Sequence, residues 1–397
     1  MPIVRLASKK ASRVVSDTTR LALRLRCDDL AGAIDGYVTD HGFRLDTISP
    51  ADAPRVAVLE LVVDAPMPLR LELTLLAGPG AGNSDSATAD DTPHLAHPGI
   101  EITTATSGHW GVGRAEMQYR DLVPSRLDGR LIGSQIRIPT AGPVPDQVHF
   151  HEVGFQLIYC LAGWVRLVYQ DQGEPFLLEA GDAILQAPTQ RHRVLESSAG
   201  LEVLEVSSPA EHPTRFDHDL DLPNTPTPLG GSFGGQPYVH HQAGDAAWRP
   251  LEPSAITALS ATTAATSPGS ARSEAAGPAS EPAFMGRGFV DHWAMASTGI
   301  AAELGHQATV TVVAAERTRA ATAPRLALTP ADTCFLFVLE GSGELTSTTA
   351  DRDRSVLQLH RHDAITTSAG ISLELTSATS DPLKLVWISF DQLTGSA

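Results

Sequence analysis

The chain is poor in several residue types, and each shortage excludes a class of protein. It holds only three cysteines, Cys27, Cys160 and Cys334, which lie far apart and form no CxxC pair. A small odd number of scattered cysteines argues against a disulfide framework and fits a reducing compartment. No apolar run approaches the roughly 18 residues that a membrane-spanning helix requires. We therefore expect a cytoplasmic protein without a membrane partner.

Positive charge is also scarce. The sequence has 29 lysines and arginines against 46 aspartates and glutamates, a net charge of -17. Nucleic-acid binders usually carry a basic patch, and here basic residues cluster only between Lys9 and Arg26, so we expect no nucleic-acid partner. The first 26 residues contain a single acid, Asp17, which is compatible with an organelle transit peptide. The alternation in Leu21–Arg26 equally predicts a strand, and both interpretations stay open at this point.

Aromatic residues make up only 5% of the chain, whereas it has 28 prolines and 33 glycines. This composition favours β structure with many turns. Two stretches, Gly78–His97 and Pro253–Pro282, consist largely of small and polar residues and are predicted to be a linker and a disordered insert. The predicted organisation is a small module at 1–79, a linker at 80–104, a β-barrel at 105–212, and a second barrel at 230–395 that contains the insert at 253–282.

The N-terminal module has its own pattern. Apolar alternation and helical spacing over residues 20–78 predict the order β-α-β-β-β, with a helix that is capped by Asp28 or Asp29 and stops at Gly42. In its segments 28–30, 41–44 and 56–59 the module resembles half of the glyoxalase-like (vicinal oxygen chelate) fold. Such folds pair two modules around a metal, but this chain shows one module without convincing ligands. The resemblance therefore implies a structural or dimerising role, and pairing with a second copy would give a homodimer.

Two later blocks repeat one plan. Short strands with regular turns run through 105–210, and Phe335–Gly341 echoes Leu157–Gly163. His362–Ile365 likewise echoes Gly181–Ile184. The repetition predicts an internal duplication that yields two β-barrels.

The first block contains a set of metal-ligand residues. His149 and His151 stand two apart, so on a strand both side chains leave the same face. Gln156 begins the next apolar run, and His192 follows a turn and Pro188. Three imidazoles and one oxygen ligand with positions left open suit Fe, Mn, Ni, Cu or Zn in a catalytic site. Ile158 and Cys160 share the strand parity of Gln156 and are predicted to line the pocket.

These motifs resemble those of the cupin superfamily. The first cupin motif corresponds to Gly142, His149-Phe150-His151, Gln156 and Gly163, and the second to Gly181, Pro188 and His192. The resemblance implies a mainly β fold, a two-cupin chain over 105–395, and one divalent metal, Fe being the first expectation. The family's usual glutamate ligand is Gln156 here. Gln156 is therefore either the fourth ligand or a hydrogen-bonding neighbour of a three-histidine site.

The second block lacks such a set. When Gly341 is aligned with Gly163, the four ligand positions fall on residues without matching chemistry: Ala327, Thr329, Cys334 and Leu373. We therefore predict a degenerate second barrel without metal.

The sequence is compatible with three functions. The first is a small-molecule dioxygenase that acts on an organic acid or a phenolic compound. The second is an isomerase, hydrolase or lyase that uses the metal only as a Lewis acid. The third is a non-catalytic binding or sensor protein.

Overall fold

A computed structural model describes most of the chain outside its low-complexity stretches. The described residues are 22–50, 54–61, 69–76, 99–251, 289–300, 304, 308–317, 323–328, 330, 333–349 and 352–390. Residues 1–21, the linker core 78–97 and the insert 253–282 lie outside them, whereas residues 22–26, the end of the possible transit segment, form the alternative strand. Among the described residues, no helix combines the length and the apolar character needed to cross a membrane.

The N-terminal module has the predicted β-α-β-β-β order. Its elements are β1 (Ala22–Cys27), α1 (Leu30–His41), β2 (Arg44–Ser49), β3 (Val56–Leu61) and β4 (Leu69–Leu75). Asp29 caps the helix by accepting a hydrogen bond of 3.0 Å from the Gly32 amide, and Gly42 ends it in the left-handed conformation, which glycine adopts without strain. The strands lie in the order β1-β4-β3-β2, with β1 parallel to β4. The glyoxalase-like resemblance of the module stays a prediction.

The first barrel is built from two facing antiparallel sheets. One sheet has the order β17-β10-β15-β12-β13, with β9 beside β15, and the other has the order β20-β14-β11-β16-β8-β7-β6. A separate hairpin joins β18 to β19. The barrel also includes a short 3-10 helix at Ala243–Asp245 and an irregular turn at Arg114–Glu116. The strands are β6 (Trp110–Val112), β7 (Gln118–Asp121), β8 (Ile132–Ile138), β9 (Gly142–Pro143), β10 (His149–His151), β11 (Phe155–Ala162), β12 (Trp164–Tyr169), β13 (Phe176–Glu179), β14 (Ala183–Leu185), β15 (His192–Ser197), β16 (Leu201–Ser208), β17 (Thr214–Phe216), β18 (Ser232–Phe233), β19 (Gln236–Pro237) and β20 (Val239–His241).

The second barrel repeats this plan. Its sheets have the orders β21-β23-β24-β31-β26-β29-β5 and β22-β25-β30-β27-β28. The strands are β5 (Ile100–Thr103), β21 (Arg249–Pro250), β22 (Phe289–Asp291), β23 (Trp293–Ser297), β24 (Ala308–Ala315), β25 (Arg325–Leu328), β26 (Thr333–Glu340), β27 (Gly343–Thr348), β28 (Arg354–Leu359), β29 (Ala364–Thr367), β30 (Ser372–Ser377) and β31 (Lys384–Phe390). The run β24-β31-β26-β29 has the pairing of β8-β16-β11-β14 in the first barrel. The strand pairing thus bears out the predicted duplication.

Two segments belong to other parts of the fold than the domain boundaries predicted from the sequence would place them in. Residues 100–103, assigned to the linker, form β5, which pairs with β29 of the second barrel. Composition hid this strand because it is only four residues long and follows the small-residue stretch directly. Residues 239–241, assigned to the second barrel, form β20, which pairs with β14 of the first. The boundary between the barrels therefore falls after β20.

The apolar core has separate parts. One cluster fills the first barrel, another fills the second, and a third lies between the barrels, where Phe155 and Leu204 of the first meet Phe337 and Ile388 of the second. The N-terminal module packs Leu59 and its neighbours in a smaller cluster. Because β2 pairs with β17 and β17 pairs with β10, the module continues the sheet that carries the histidines.

Candidate metal centre

Three histidines meet inside the first barrel. His149 and His151 leave the same face of β10, and His192 begins β15 directly opposite His149 in the antiparallel register. Their ring centroids are 4.1 Å apart for His149 and His192, 5.2 Å for His149 and His151, and 5.3 Å for His151 and His192. One nitrogen from each residue lies within 4.8 Å of the others. The structure thus brings the three predicted histidines to one point.

Each imidazole is held by its Nδ1 atom. His149 Nδ1 lies 2.7 Å from the Gln147 carbonyl oxygen, and His192 Nδ1 lies 3.0 Å from that of Gln190. Because a carbonyl oxygen can only accept, both rings must carry their proton on Nδ1 and leave Nε2 with a free lone pair. His151 is held differently, since its Nδ1 lies 3.0 Å from the hydroxyl of Thr214.

One unpaired nitrogen among the three histidines is where a metal ion could bind. Among the described residues, His149 Nε2 is buried without a hydrogen-bond partner, and an unpaired buried nitrogen is costly. Three neutral imidazoles with second nitrogens held by neighbouring oxygens form a common donor set for divalent transition metals. His149, His151 and His192 therefore fit a divalent metal.

The electrostatics keep these imidazoles unprotonated at neutral pH. Burial lowers the pKa of His149 and His151 well below the ordinary value, and the Arg114 cation and the neighbouring histidines lower both further. Burial also lowers the pKa of His192 to about 4. A metal can therefore bind at pH 7 without displacing protons from the ligands.

Arg114 brings one positive charge to the site. Its guanidinium forms an ion pair with Asp146, whose other oxygen accepts a hydrogen bond of 2.9 Å from the Val194 amide. Burial alone would lower the Arg114 pKa, but the Asp146 carboxylate raises it above the ordinary value. The two residues after Arg114, Ala115 and Glu116, both have left-handed backbones with φ of 52° and 59°. Non-glycine residues rarely keep such angles without a local reason.

A cavity of about 70 Å³ opens beside the histidines. Its wall is mainly apolar and includes Ile136, Ile138, Ile158, Val165, Leu167, Val194, Leu201 and Val203. The charged residues on the wall are Arg114 and Glu205, which also line a second cavity of about 20 Å³. Pro50 of the N-terminal module lines the second cavity, so the module reaches the region of the site.

Gln156 lies on the wall of the larger cavity with both amide atoms in hydrogen bonds. Its Nε2 donates to Glu205 at 2.9 Å, and its Oε1 accepts from Gln186 at 2.8 Å. Its role as the fourth ligand stays a prediction, and the second lone pair of Oε1 is the atom that such a role would use.

The two predicted pocket residues have different surroundings. Ile158 lines the cavity, whereas Cys160 is fully buried in the packed interior of the barrel. Its thiol points toward the carbonyl oxygens of Ala162 and Gly163, at 3.8 and 3.6 Å. The register is regular up to Cys160, which pairs with Val203 as Ile158 pairs with Glu205. Cys160 thus keeps the parity of Gln156, and its place on the pocket wall stays a prediction.

Sequence reasoning missed Arg114, Thr214 and Glu205. Glu205 had a recognisable signal, because Leu201, Val203 and Glu205 alternate along β16 and all face the cavity. A carboxylate on an otherwise apolar face indicates a functional position. Arg114 had no comparable signal, since it belongs to an irregular segment.

Distant likenesses to solved structures concern the fold. The chain resembles an oxalate decarboxylase of Lactobacillus farciminis in complex with formate, with 12% identity and a TM-score of 0.46 over 74% of this chain and 87% of that chain. It also resembles a deletion mutant of the Bacillus subtilis oxalate decarboxylase, with 13% identity and a TM-score of 0.44 over 74% of this chain and 78% of that chain. The similarity to protein Ylba from E. coli has 10% identity and a TM-score of 0.45 over 76% of this chain and 94% of that chain. No protein-family model and no curated protein sequence matches the chain.

The architecture is that of a two-cupin chain. This description is based on the strand order and on the strand pairing that the two barrels share, and it agrees with the fold that the histidine motifs predicted. The Bacillus subtilis oxalate decarboxylase has Mn(II) centres, which is a property of that enzyme.

The second cupin barrel offers no equivalent ligands. Cys334 pairs with Ser389 as Gln156 pairs with Ser207, which confirms its predicted equivalence. Leu373 likewise pairs with Ser347 as His192 pairs with Tyr169. Among the described residues, the first barrel's histidines form the one group of three or more metal-ligating side chains.

Two predicted equivalences, Ala327 for His149 and Thr329 for His151, are each wrong by one residue. Leu373 faces Leu328 rather than Ala327, so Leu328 occupies the position of His149. Counting back from Gly341 failed because the connection before β26 is one residue shorter than the one before β11. Leu328 stands five positions before Thr333, the first residue of β26, whereas His149 stands six positions before Phe155, the first residue of β11. The corrected position of His151 falls on Pro330, while Thr329 lies outside the described residues.

Proposed function

We propose that the protein is a metal-dependent oxidoreductase of dioxygenase type that acts on a small organic acid. One divalent metal, iron as the first expectation, would be held by His149, His151 and His192. The observation that carries this proposal is the convergence of three neutral imidazoles beside a mainly apolar cavity with one arginine on its wall. Iron held by three imidazoles keeps open positions and supplies Lewis-acid and redox chemistry when bound.

The residues of the cavity have separate tasks in this proposal. Arg114 offers guanidinium N–H donors to a substrate carboxylate, a geometry that carboxylates match well. The apolar wall receives the body of the substrate and limits access of water, which strengthens the polar contacts inside. Burial raises the pKa of the Tyr169 hydroxyl, so Tyr169 stays a hydrogen-bond donor at neutral pH.

A second function is favoured by one observation. Glu205 places a carboxylate on the cavity wall, and a carboxylate at this point could accept a proton from a substrate. That chemistry belongs to an isomerase or lyase in which the metal acts only as a Lewis acid.

The test begins with elemental analysis of the purified protein and of His149→Ala and His192→Ala. His360→Ala is the matched control, because His360 lies on the second barrel with its side chain 70% exposed. We expect a metal in the wild type and the control and its loss in the two site variants. Full occupancy in all four proteins would refute the site.

Oxygen consumption then separates the functions. The protein is loaded in turn with Fe(II), Mn(II), Ni(II), Cu(II) and Zn(II) and given a panel of small organic acids. Oxygen uptake that requires Fe(II) supports the oxidoreductase. Turnover without oxygen uptake, with Zn(II) or Mn(II), supports the isomerase or lyase, and acids recovered unchanged support a binding protein.

A further inference from the structure

Gln156 is one of the two middle members of a chain of four hydrogen-bonded side chains. The Tyr169 hydroxyl donates to Gln186 Oε1 at 2.8 Å, and Gln186 Nε2 donates to Gln156 Oε1 at 2.8 Å. Gln156 Nε2 in turn donates to Glu205 Oε1 at 2.9 Å. Each amide therefore uses its oxygen toward the tyrosine end and its nitrogen toward the glutamate end.

The two ends fix this direction. An ionised carboxylate can only accept, so the amide that faces Glu205 must present its nitrogen. The Gln156 oxygen then faces Gln186, whose own oxygen must face the Tyr169 hydroxyl. Reversing either amide would set oxygen against oxygen or nitrogen against nitrogen inside a buried site.

The strand register explains why Glu205 faces the same cavity. Gln156 pairs with Ser207 across β11 and β16, and the next pair on that face joins Ile158 to Glu205. Gln156, Ile158 and Glu205 all line the cavity. A carboxylate is thus present in the site, on the strand beside the one where the cupin motif would place it.

We propose that Gln156 is a positioning residue for Glu205, and that Glu205 and Arg114 together select the substrate. The Arg114 guanidinium binds a carboxylate, and the Glu205 carboxylate accepts a hydrogen bond from a second group on the same molecule. The substrate class is therefore a small acid with an apolar body that also carries a hydroxyl or an amino group. This inference rests on the proposed function and narrows its substrate.

The arrangement of charge supports this selection. The negative charge of Glu205 acts on the Arg114 cation, which is also paired with Asp146. An acid without a donor group would forgo the hydrogen bond that Glu205 can accept in addition to the one from Gln156, and it would place apolar atoms against a carboxylate. An alcohol without a carboxylate would lack the second anionic group that the Arg114 guanidinium can bind beside Asp146.

The first experiment compares the metal affinity of the wild type, Gln156→Leu and Glu205→Gln by competition with a chelator. We expect all three to agree within about threefold, because the histidines hold the metal. If Gln156 were a ligand, Gln156→Leu would lose about tenfold or more. Such a loss in Gln156→Leu, with unchanged affinity in Glu205→Gln, would overturn the positioning role.

The second experiment measures binding of three probes to the metal-loaded protein by calorimetry. Mandelate carries an acid and a hydroxyl, phenylacetate lacks the hydroxyl, and benzyl alcohol lacks the acid. We expect mandelate to bind about tenfold more tightly than phenylacetate, as one hydrogen bond to a charged group allows, and benzyl alcohol to bind more weakly still. Equal binding of the two acids, or no binding of mandelate, would overturn the substrate class.

The variants test whether the positioning role of Gln156 and the substrate selection by Glu205 depend on each other. Glu205→Gln and Gln156→Leu should each abolish the preference for mandelate, and the double variant should lose no more than either alone, because the two residues act as one unit. A preference that survives in Glu205→Gln would contradict the inference. Glu205→Gln keeps the shape of the side chain and serves if Gln156→Leu does not fold. A failure of the proposed function is distinguishable, because it would show as absence of metal from the wild type or as absence of turnover with intact selective binding.

Discussion

The Thr214 hydroxyl lies 3.0 Å from Nδ1 of His151, whereas the other two histidines of the centre meet backbone carbonyl oxygens. His151 is therefore the ligand whose orientation depends on a side chain and can be altered by a single substitution. Thr214 pairs with Ile48 of the N-terminal module and with His151 itself. The hydroxyl thus connects the module's sheet to the metal centre.

Thr214→Val should weaken metal binding by about 10- to 100-fold, because a buried imidazole nitrogen loses its partner while the side chain keeps its shape. Chelator competition measures the change. Thr214→Ser keeps the hydroxyl and should stay close to the wild type. Equal loss in both variants would mean that packing of the methyl group, and not the hydrogen bond, supports His151.

The metal-free protein should lose stability as the pH falls from about 6.5 to about 4. Burial lowers the pKa of folded His192 to about 4, whereas an unfolded histidine titrates near about 6.5. Within this window the unfolded chain binds more protons, so the stability present above it decreases as the pH falls. His192 accounts for about 3 kcal/mol of this change, and the lowered pKa of His149 and of His151 acts in the same direction.

Thermal unfolding of the metal-free protein across this pH range measures the effect. His192→Gln should show a shallower dependence than the wild type, while the exposed-site variant His360→Gln should follow the wild type. Identical curves for His192→Gln and the wild type would show that His192 does not contribute.

Tyr169→Phe should reduce the free energy of unfolding by about 1–2 kcal/mol, because Gln186 loses its donor inside the barrel. The ring stacks on His192 with centroids 5.2 Å apart and is kept by the substitution, so metal affinity should hardly change. Urea denaturation and chelator competition measure the two quantities. Tyr37→Phe in the N-terminal module is the control, and a loss of metal affinity confined to Tyr169→Phe would contradict the expectation.

The sequence predicted the cluster of three histidines better than the surroundings of that cluster. His149, His151 and His192 could be found because a spacing of two residues on a strand fixes the face of both side chains, and because a turn motif accompanies His192. Arg114 could not be found, since left-handed residues in an irregular segment follow no periodicity. The error at Ala327 and Leu328 arose because loop length cannot be read from a repeat whose strands alone are similar.

Arg120→Met should destabilise the protein by about 3 kcal/mol, because this side chain is buried at 2% exposure and bridges the two barrels. Its guanidinium donates to the His362 carbonyl oxygen at 2.9 Å and the Thr104 carbonyl oxygen at 2.8 Å. Urea denaturation measures the loss. Arg166→Met removes a solvent-exposed ion pair with Glu196 and should cost less than about 1 kcal/mol; a similar cost for both would rule out the special role of Arg120.

Gly341→Ala should cost more stability than Gly370→Ala, although both glycines have φ of +82°. A Cβ at Gly341 would clash with the Pro382 carbonyl oxygen, whereas a Cβ at Gly370 meets nothing within 4 Å. Gly370→Ala should therefore show only the left-handed strain of about 1–2 kcal/mol, and Gly341→Ala should exceed it. Thermal unfolding of the two variants compares these costs, and equal midpoints would contradict the clash.

Strand β5 is synthesised long before the strand with which it pairs. Its residues Ile100 and Ile102 are 1% exposed in the finished protein, yet they precede the first barrel in the chain while their partner β29 lies at Ala364–Thr367. During translation the first barrel can therefore close with an apolar strand still unpaired beside it, a state in which such edges invite aggregation. Expression of either barrel alone, cut between β20 and β21, would leave this strand in the wrong fragment, and the two barrels should be produced together.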